Sequence, residues 1–141
     1  MEHTVFKTLE FDKILEKMAG FTDSEEVKKK ITSLVPFDNL EQAKYAQSET
    51  TEAVSICFRQ GNPPIGLGVS DITSAVRRCE IGGMLNPKDL MAVSRVLYVA
   101  RRIKAYIESG GEDLQILQEL SSSIYTLRAL EDSINGTILS E

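Results

Sequence analysis

Asn86-Pro-Lys-Asp-Leu-Met-Ala-Val-Ser-Arg-Val-Leu-Tyr-Val-Ala-Arg-Arg-Ile-Lys-Ala-Tyr-Ile-Glu-Ser-Gly-Gly111 decides the fold class. Asn86 has a side chain that can accept from the free N–H groups of a helix start, and Pro87 suits the first helical position, where a missing N–H costs nothing. Asp89 adds negative charge to the first turn, where the helix dipole favours it. Behind this start, Leu90, Val93, Val96, Leu97, Ala100, Ile103 and Ile107 recur at spacings of three and four. That period puts them on one side of an α-helix, whereas a strand would alternate every second residue. Gly110-Gly111 ends the run, so the spacing predicts one long helix to about Ser109.

The same period continues in both directions. Upstream, Phe11, Ile14, Leu15 and Met18 make an apolar stripe on a helix from about Thr8 to Ala19, stopped by Gly20. A second helix is expected from about Asp23 to Leu34. Thr22 with Glu25, or Asp23 with Glu26, offers capping-box spacing, and Val27, Ile31 and Leu34 form its apolar side. Pro36 closes it. A third, from about Asn39 to Gln60, turns Leu40, Ala43, Ala46, Thr50, Ala53, Val54 and Cys57 inward. Gly61 to Ser70 is the one Gly/Pro-rich stretch and reads as a loop. A short helix from about Asp71 to Ile81 follows, with Ser70 or Asp71 as cap and Ile72, Ala75, Val76 and Cys79 facing in. Downstream, helices are expected over about Glu112 to Ser121 and Thr126 to Ile134. No alternating β-branched run is bounded by turns, so no strand is predicted. The sum is an all-α chain, an irregular bundle of about six to seven helices forming one domain over residues 1–141. Ile138-Leu-Ser-Glu141 carries no stop signal and reads as a chain that continues.

Hydrophobic residues make up 42% and charged residues 26%, enough apolar side chains to bury a core. The formal net charge of -5 argues against a main nucleic-acid grip, which needs a basic surface. Cys57 and Cys79 form no CxxC pair and sit among apolar residues, so both are expected to act as small core hydrophobes in a reducing cytosol. The N-terminus lacks the apolar stretch of a signal peptide, and no run approaches the ~18 residues that span a membrane. The expectation is a cytoplasmic protein with no membrane contact, in which the sequon Asn135-Gly-Thr137 carries no meaning.

Catalytic chemistry is hard to assemble from these residues. Gly61 to Gly66 has the glycine spacing of a phosphate-binding loop, but Leu67 and Gly68 stand where Lys and Ser or Thr are needed. Pro63 and Pro64 remove two further N–H donors. His3 is the only histidine, which argues against a Ser-His-Asp or Cys-His arrangement. A zinc site would need more Cys and His than the chain has. The expectation is no catalytic residue, no metal and no cofactor.

One surface pattern stands out. Arg95, Tyr98, Arg102 and Tyr106 are spaced three, four and four apart. At 100° per residue they share a face opposite Val93, Ala100 and Ile107. Arginines interleaved with tyrosines suit phosphates and bases, and equally a protein partner. Arg77 and Arg78 lie nearby in sequence.

Four segments resemble, in order, one known family. Thr8-Leu-Glu-Phe-Asp-Lys-Ile-Leu15 is similar to the opening helix of the second-type MutS proteins of bacteria. Gly61-Asn-Pro-Pro-Ile-Gly-Leu-Gly-Val-Ser-Asp-Ile72 resembles their glycine-rich loop, and Ala75-Val-Arg-Arg-Cys-Glu-Ile-Gly-Gly-Met-Leu-Asn-Pro87 the segment that follows it. Leu130-Glu-Asp-Ser-Ile-Asn-Gly-Thr-Ile138 resembles a later core stretch. The resemblance implies the N-terminal part of a MutS-type core, followed in full-length members by an ATP- and Mg-dependent ATPase domain and an endonuclease domain. It implies a homodimeric parent that acts on branched DNA to suppress homologous recombination, or on collided ribosomes. No family catalytic residue falls on a position of this chain. The reading is therefore a non-catalytic core piece whose partners are the remaining core and ATPase domains. The alternative is a protein-interaction or dimerisation module with no direct nucleic-acid role.

Overall fold

A computed structural model describes residues 10–22, 24–64 and 69–138. Thr8 at the head of the first expected helix, the candidate cap Asp23, His3 and the Gly66-Leu67-Gly68 end of the glycine loop lie outside the described residues. Seven α-helices form among the described residues, and no strand does. The all-α class follows from the helical period found throughout the chain. Two compact units are present, Met1–Asp38 and Asn39–Glu141.

The first unit is a helical pair. Helix α1 (Phe11–Ala19) buries Leu15 and Ala19 and packs on α2 (Glu25–Thr32). The expected stripe of α1 holds only in part, because Ile14 and Met18 remain exposed. The expected Thr22–Glu25 capping box does not start α2. Ser24 does so, its Oγ accepting from the Val27 N–H at 3.3 Å, while Thr22 Oγ1 accepts from the Ser24 N–H. Val27 and Leu34 are exposed, and no residue of α2 is buried.

The second unit is built around α5. Its helices are α3 (Leu40–Gln60), α4 (Thr73–Glu80), α5 (Pro87–Glu108), α6 (Gln115–Ser122) and α7 (Arg128–Ile138). α5 packs against both α6 and α7, and α6 also packs on α3. The start of α5 is as its sequence indicates: Asn86 Oδ1 accepts from the Asp89 N–H at 2.9 Å behind Pro87. Among the described residues, Ile56, Ala75, Val99, Leu114 and Ile134 are the buried hydrophobic residues of this unit. Leu114 is 1% exposed, and burying a leucine fully contributes about 2 kcal/mol.

Two expected faces are corrected by the packing. On α3 the covered side runs through Ala43, Ala46, Glu52 and Ile56, while Leu40, Thr50, Ala53 and Val54 are exposed. The reason is that α3 meets α6 through a carboxylate: Glu52 accepts from the Ile116 N–H at 3.2 Å and the Leu117 N–H at 2.9 Å. Glu52 and Ile56 thus lie on the covered side, and the most apolar stripe does not. On α4 only Ala75 is buried, and Val76 and Cys79 face outward. Cys79 is thus an exposed free thiol rather than a core residue, and Cys57 is half-buried.

The α5–α6 corner explains the paired glycines. A Cβ built on Gly110 would stand 2.6 Å from Ile56 Cδ1 and 2.7 Å from Leu114 Cδ1. Gly111 has φ +119°, a backbone conformation that L side chains rarely adopt. One glycine gives room and its neighbour gives the turn.

Candidate functional site

The face singled out on α5 is continuous along the helix, but the structure divides it between two surroundings. Arg95 and Tyr98 border α7, while Arg102 and Tyr106 border the C-terminal end of α3. All but Arg102 are half-buried.

In the first half, the Arg95 guanidinium lies 5.9 Å from the centre of the Tyr98 ring, and that of Arg101 lies 5.4 Å from it. Cations at this range are attracted by the ring's negative face. Arg101 in turn grips Glu131 on α7 through two hydrogen bonds, Nε to Oε2 at 3.1 Å and Nη2 to Oε1 at 2.9 Å. Glu131 is 4% exposed, so this is a nearly buried carboxylate held by a fork of donors. The Arg101 hydrogen bonds hold the Glu131 carboxyl below its ordinary value, with Arg128 adding a smaller pull. Beside this pair the buried Ser94 hydroxyl donates to Asn135 Oδ1 at 2.6 Å. Arg101 and Glu131 did not emerge from the sequence. Arg101 sits off the face of the four singled-out residues, and Glu131 sits on a helix whose acids read as solvated.

In the second half, the Tyr106 hydroxyl donates to the Gly61 carbonyl at 2.6 Å and lies 3.9 Å from Cys57 Sγ. Burial raises the Tyr106 phenol above its ordinary value, and the bond to Cys57 raises it further. Ser109 Oγ donates to Gln60 Oε1 at 3.2 Å. Tyr106 therefore ties α5 to the end of α3 and does not present its hydroxyl to a ligand. Arg102 is the exposed cation of this half, in a shallow hollow bordered by Gln60, Asn62 and Pro64. A further ion pair lies beyond it: Arg59 holds Asp113 with two hydrogen bonds, one from Nη1 at 2.7 Å, and also reaches the Gly110 carbonyl at 3.0 Å.

The polar side chains of this arrangement join helices: Arg101 to Glu131 on α7 and Tyr106 to the end of α3. Among the described residues, no three of His, Cys, Asp and Glu gather where a metal ion could sit. No helix among them is long and apolar enough to cross a membrane.

No protein-family model matches the chain. Individual curated proteins do. Endonuclease MutS2 of Ruminiclostridium cellulolyticum is 37% identical over 143 residues, an alignment that covers 100% of this chain and 18% of that protein. Endonuclease MutS2 of Acetivibrio thermocellus is 35% identical over 144 residues with the same coverage, and that of Alkaliphilus oremlandii 35% over 143. The chain thus spans about 18% of the length of the curated relatives it matches. The segments that resembled the second-type MutS proteins all lie within this similarity, which covers the whole chain. Along its whole length the chain is thus related in sequence to proteins named Endonuclease MutS2.

Proposed function

We propose that this chain is a non-catalytic helical segment of a MutS2-type protein, the first part of its core, and that it couples movement of an ATPase domain to the parts that contact substrate. The observation that carries this reading is the match of every residue to only 18% of relatives named as endonucleases. A segment of that size, with its polar side chains engaged in joining helices, supports a scaffold better than a nuclease site. Uncovered apolar side chains add support. Phe58 is 87% exposed and Val54, one turn away on α3, is also exposed, as are Leu127 and Leu130 at the start of α7. Such residues suit contact with further protein. On this reading ATP and Mg are bound elsewhere in the larger protein. That protein is a cytoplasmic homodimer acting on branched DNA in suppressing recombination, or on collided ribosomes.

The test replaces the matched segment of the Ruminiclostridium cellulolyticum protein with these 141 residues. The chimaera should cleave DNA, whereas deletion of the segment should uncouple ATP hydrolysis from added DNA. The chain alone should leave supercoiled plasmid intact in Mg. Nicking by the chain alone overturns the non-catalytic reading, and a folded but inactive chimaera overturns the scaffold.

The second reading, a dimerisation module, is favoured by the exposed Val54 and Phe58 on one side of α3. Sedimentation over a range of concentrations distinguishes it, since a strict monomer removes it.

A further inference from the structure

Asn135 and Gly136 stand next to each other in α7. An asparagine followed by glycine carries its own nucleophile. The Gly136 backbone nitrogen, with no Cβ beside it, can attack Cγ of the Asn135 side chain and close a five-membered imide. Helical geometry blocks that attack, because it turns each backbone N–H along the axis onto the carbonyl four residues back. The structure adds a second restraint. The buried Ser94 hydroxyl of α5 donates to Asn135 Oδ1 at 2.6 Å and holds the side chain against α5. The backbone restraint is weak at this point, since glycine is the poorest helix former after proline. Gly136 lacks a positive φ, and nothing outside its own helix lies within 4 Å of where a Cβ would stand. Asn135 is itself exposed, so water reaches it.

We propose that Asn135 is a modification site that the fold keeps closed, and that it reacts when the end of α7 lifts from α5. In the open state the Gly136 nitrogen gives up its proton and bonds to Asn135 Cγ. The Cγ–Nδ2 bond breaks, and Nδ2 leaves as ammonia with that proton. Water then opens the imide at either carbonyl. One opening leaves aspartate at 135, and the other leaves isoaspartate, in which the backbone runs through the former side chain. Water is the only co-reactant, and nothing is oxidised or reduced. Both products carry a carboxylate one turn beyond Glu131. Glu131 is nearly buried and already held by the Arg101 fork. A second carboxylate four residues on repels it. Isoaspartate also lengthens the backbone and breaks the helical ladder there. Modified α7 therefore seats less firmly on α5, and an opening that would otherwise reverse becomes permanent. This inference rests on the α5–α7 joint and is independent of the scaffold reading.

The experiment incubates the 141-residue chain at mildly alkaline pH, folded and in urea, and follows Asn135 by mass spectrometry of the peptide that holds it. The folded chain should react at least about tenfold more slowly than the unfolded one, a ratio set by how rarely α7 opens. Ser94→Ala, which removes the bond to Oδ1, should speed the folded reaction about fivefold, the factor of one hydrogen bond of ordinary net strength. It should leave the rate in urea unchanged. If Ser94→Ala fails to fold, sub-denaturing urea tests the unaltered chain: its rate should rise in step with hydrogen exchange of the α7 amides. Asn135→Asp, which stands for one product, should exchange its α7 amides faster than the unaltered chain. Equal rates folded and unfolded, a folded rate indifferent to Ser94→Ala, a rate that does not follow α7 exchange, or unaltered α7 exchange in Asn135→Asp would overturn the inference.

Discussion

Glu52, in the middle of α3, caps α6 by accepting the backbone N–H of Leu117 at 2.9 Å, with Ile116 N–H at 3.2 Å. α6 has no side-chain cap of its own: the residue before it is Leu114, whose side chain cannot accept a hydrogen bond. A carboxylate placed on two free N–H groups also meets the positive end of the helix dipole. Glu52→Ala should therefore destabilise the second unit by about 1 kcal/mol, and Glu52→Gln by less. Urea unfolding followed at 222 nm checks this. Equal midpoints for wild type and Glu52→Ala would show that the cap contributes nothing.

Gly110→Ala should cost more, about 1–3 kcal/mol, because the added methyl meets Ile56 and Leu114 in a filled core. Ile56→Val removes the nearer of these atoms, Cδ1, and should recover part of the loss when combined with Gly110→Ala. A double-mutant cycle reads the coupling directly. Strict additivity would place the strain elsewhere.

Acid should loosen the α3–α6 side. The Arg59 hydrogen bonds lower the Asp113 carboxyl from its ordinary 3.8 to about 2. A group depressed in the folded state stabilises it above the unfolded value and loses that contribution as pH falls through the folded one. Stability should therefore drop between about pH 4 and about pH 2, and Asp113→Asn should flatten the curve in that window. Glu131, also lowered by its arginine, acts in the same direction. Chemical unfolding at a series of pH values is the check, and an unchanged slope in Asp113→Asn would remove Asp113 from the account.

The two thiols should differ in reactivity. Cys79 is exposed and Cys57 is half-buried beneath Tyr106. A thiol-reactive dye should label Cys79 quickly in the native chain and Cys57 slowly until denaturant is added. Mass spectrometry of the labelled peptides tells them apart, and equal rates would contradict the covered position of Cys57.

What could be read from the sequence was whatever depends on neighbours within a helix. The start at Asn86-Pro87, the stop at Gly110-Gly111 and the period of α5 are local events, and all three hold in the structure. Arg95, Tyr98, Arg102 and Tyr106 do share one helical arc, because that follows from spacing alone. What α7 and α3 do to that arc depends on contacts many residues away, and here spacing says nothing. Glu52 reaching α6, Arg101 gripping Glu131 and Tyr106 reaching Gly61 all join residues at least 30 positions apart. The end of α7 was misplaced for a related reason. It was expected at about Ile134, yet Gly136 does not adopt a positive φ, and the helix runs through it to Ile138. The face of α3 was misread because its most apolar stripe is not the one that carries Glu52.

Tyr98 also gives the chain a built-in optical signal. The sequence contains no tryptophan and four tyrosines. Tyr45 and Tyr125 stand in solvent at 51% and 83% exposure, where a ring sees an averaged environment. Tyr98, held beside two guanidinium groups, and Tyr106, bonded to Gly61, sit in fixed asymmetric surroundings. The tyrosine part of the near-ultraviolet circular dichroism of the unlabelled protein is accordingly dominated by α5, with one chromophore beside α7 and the other on the α3 joint.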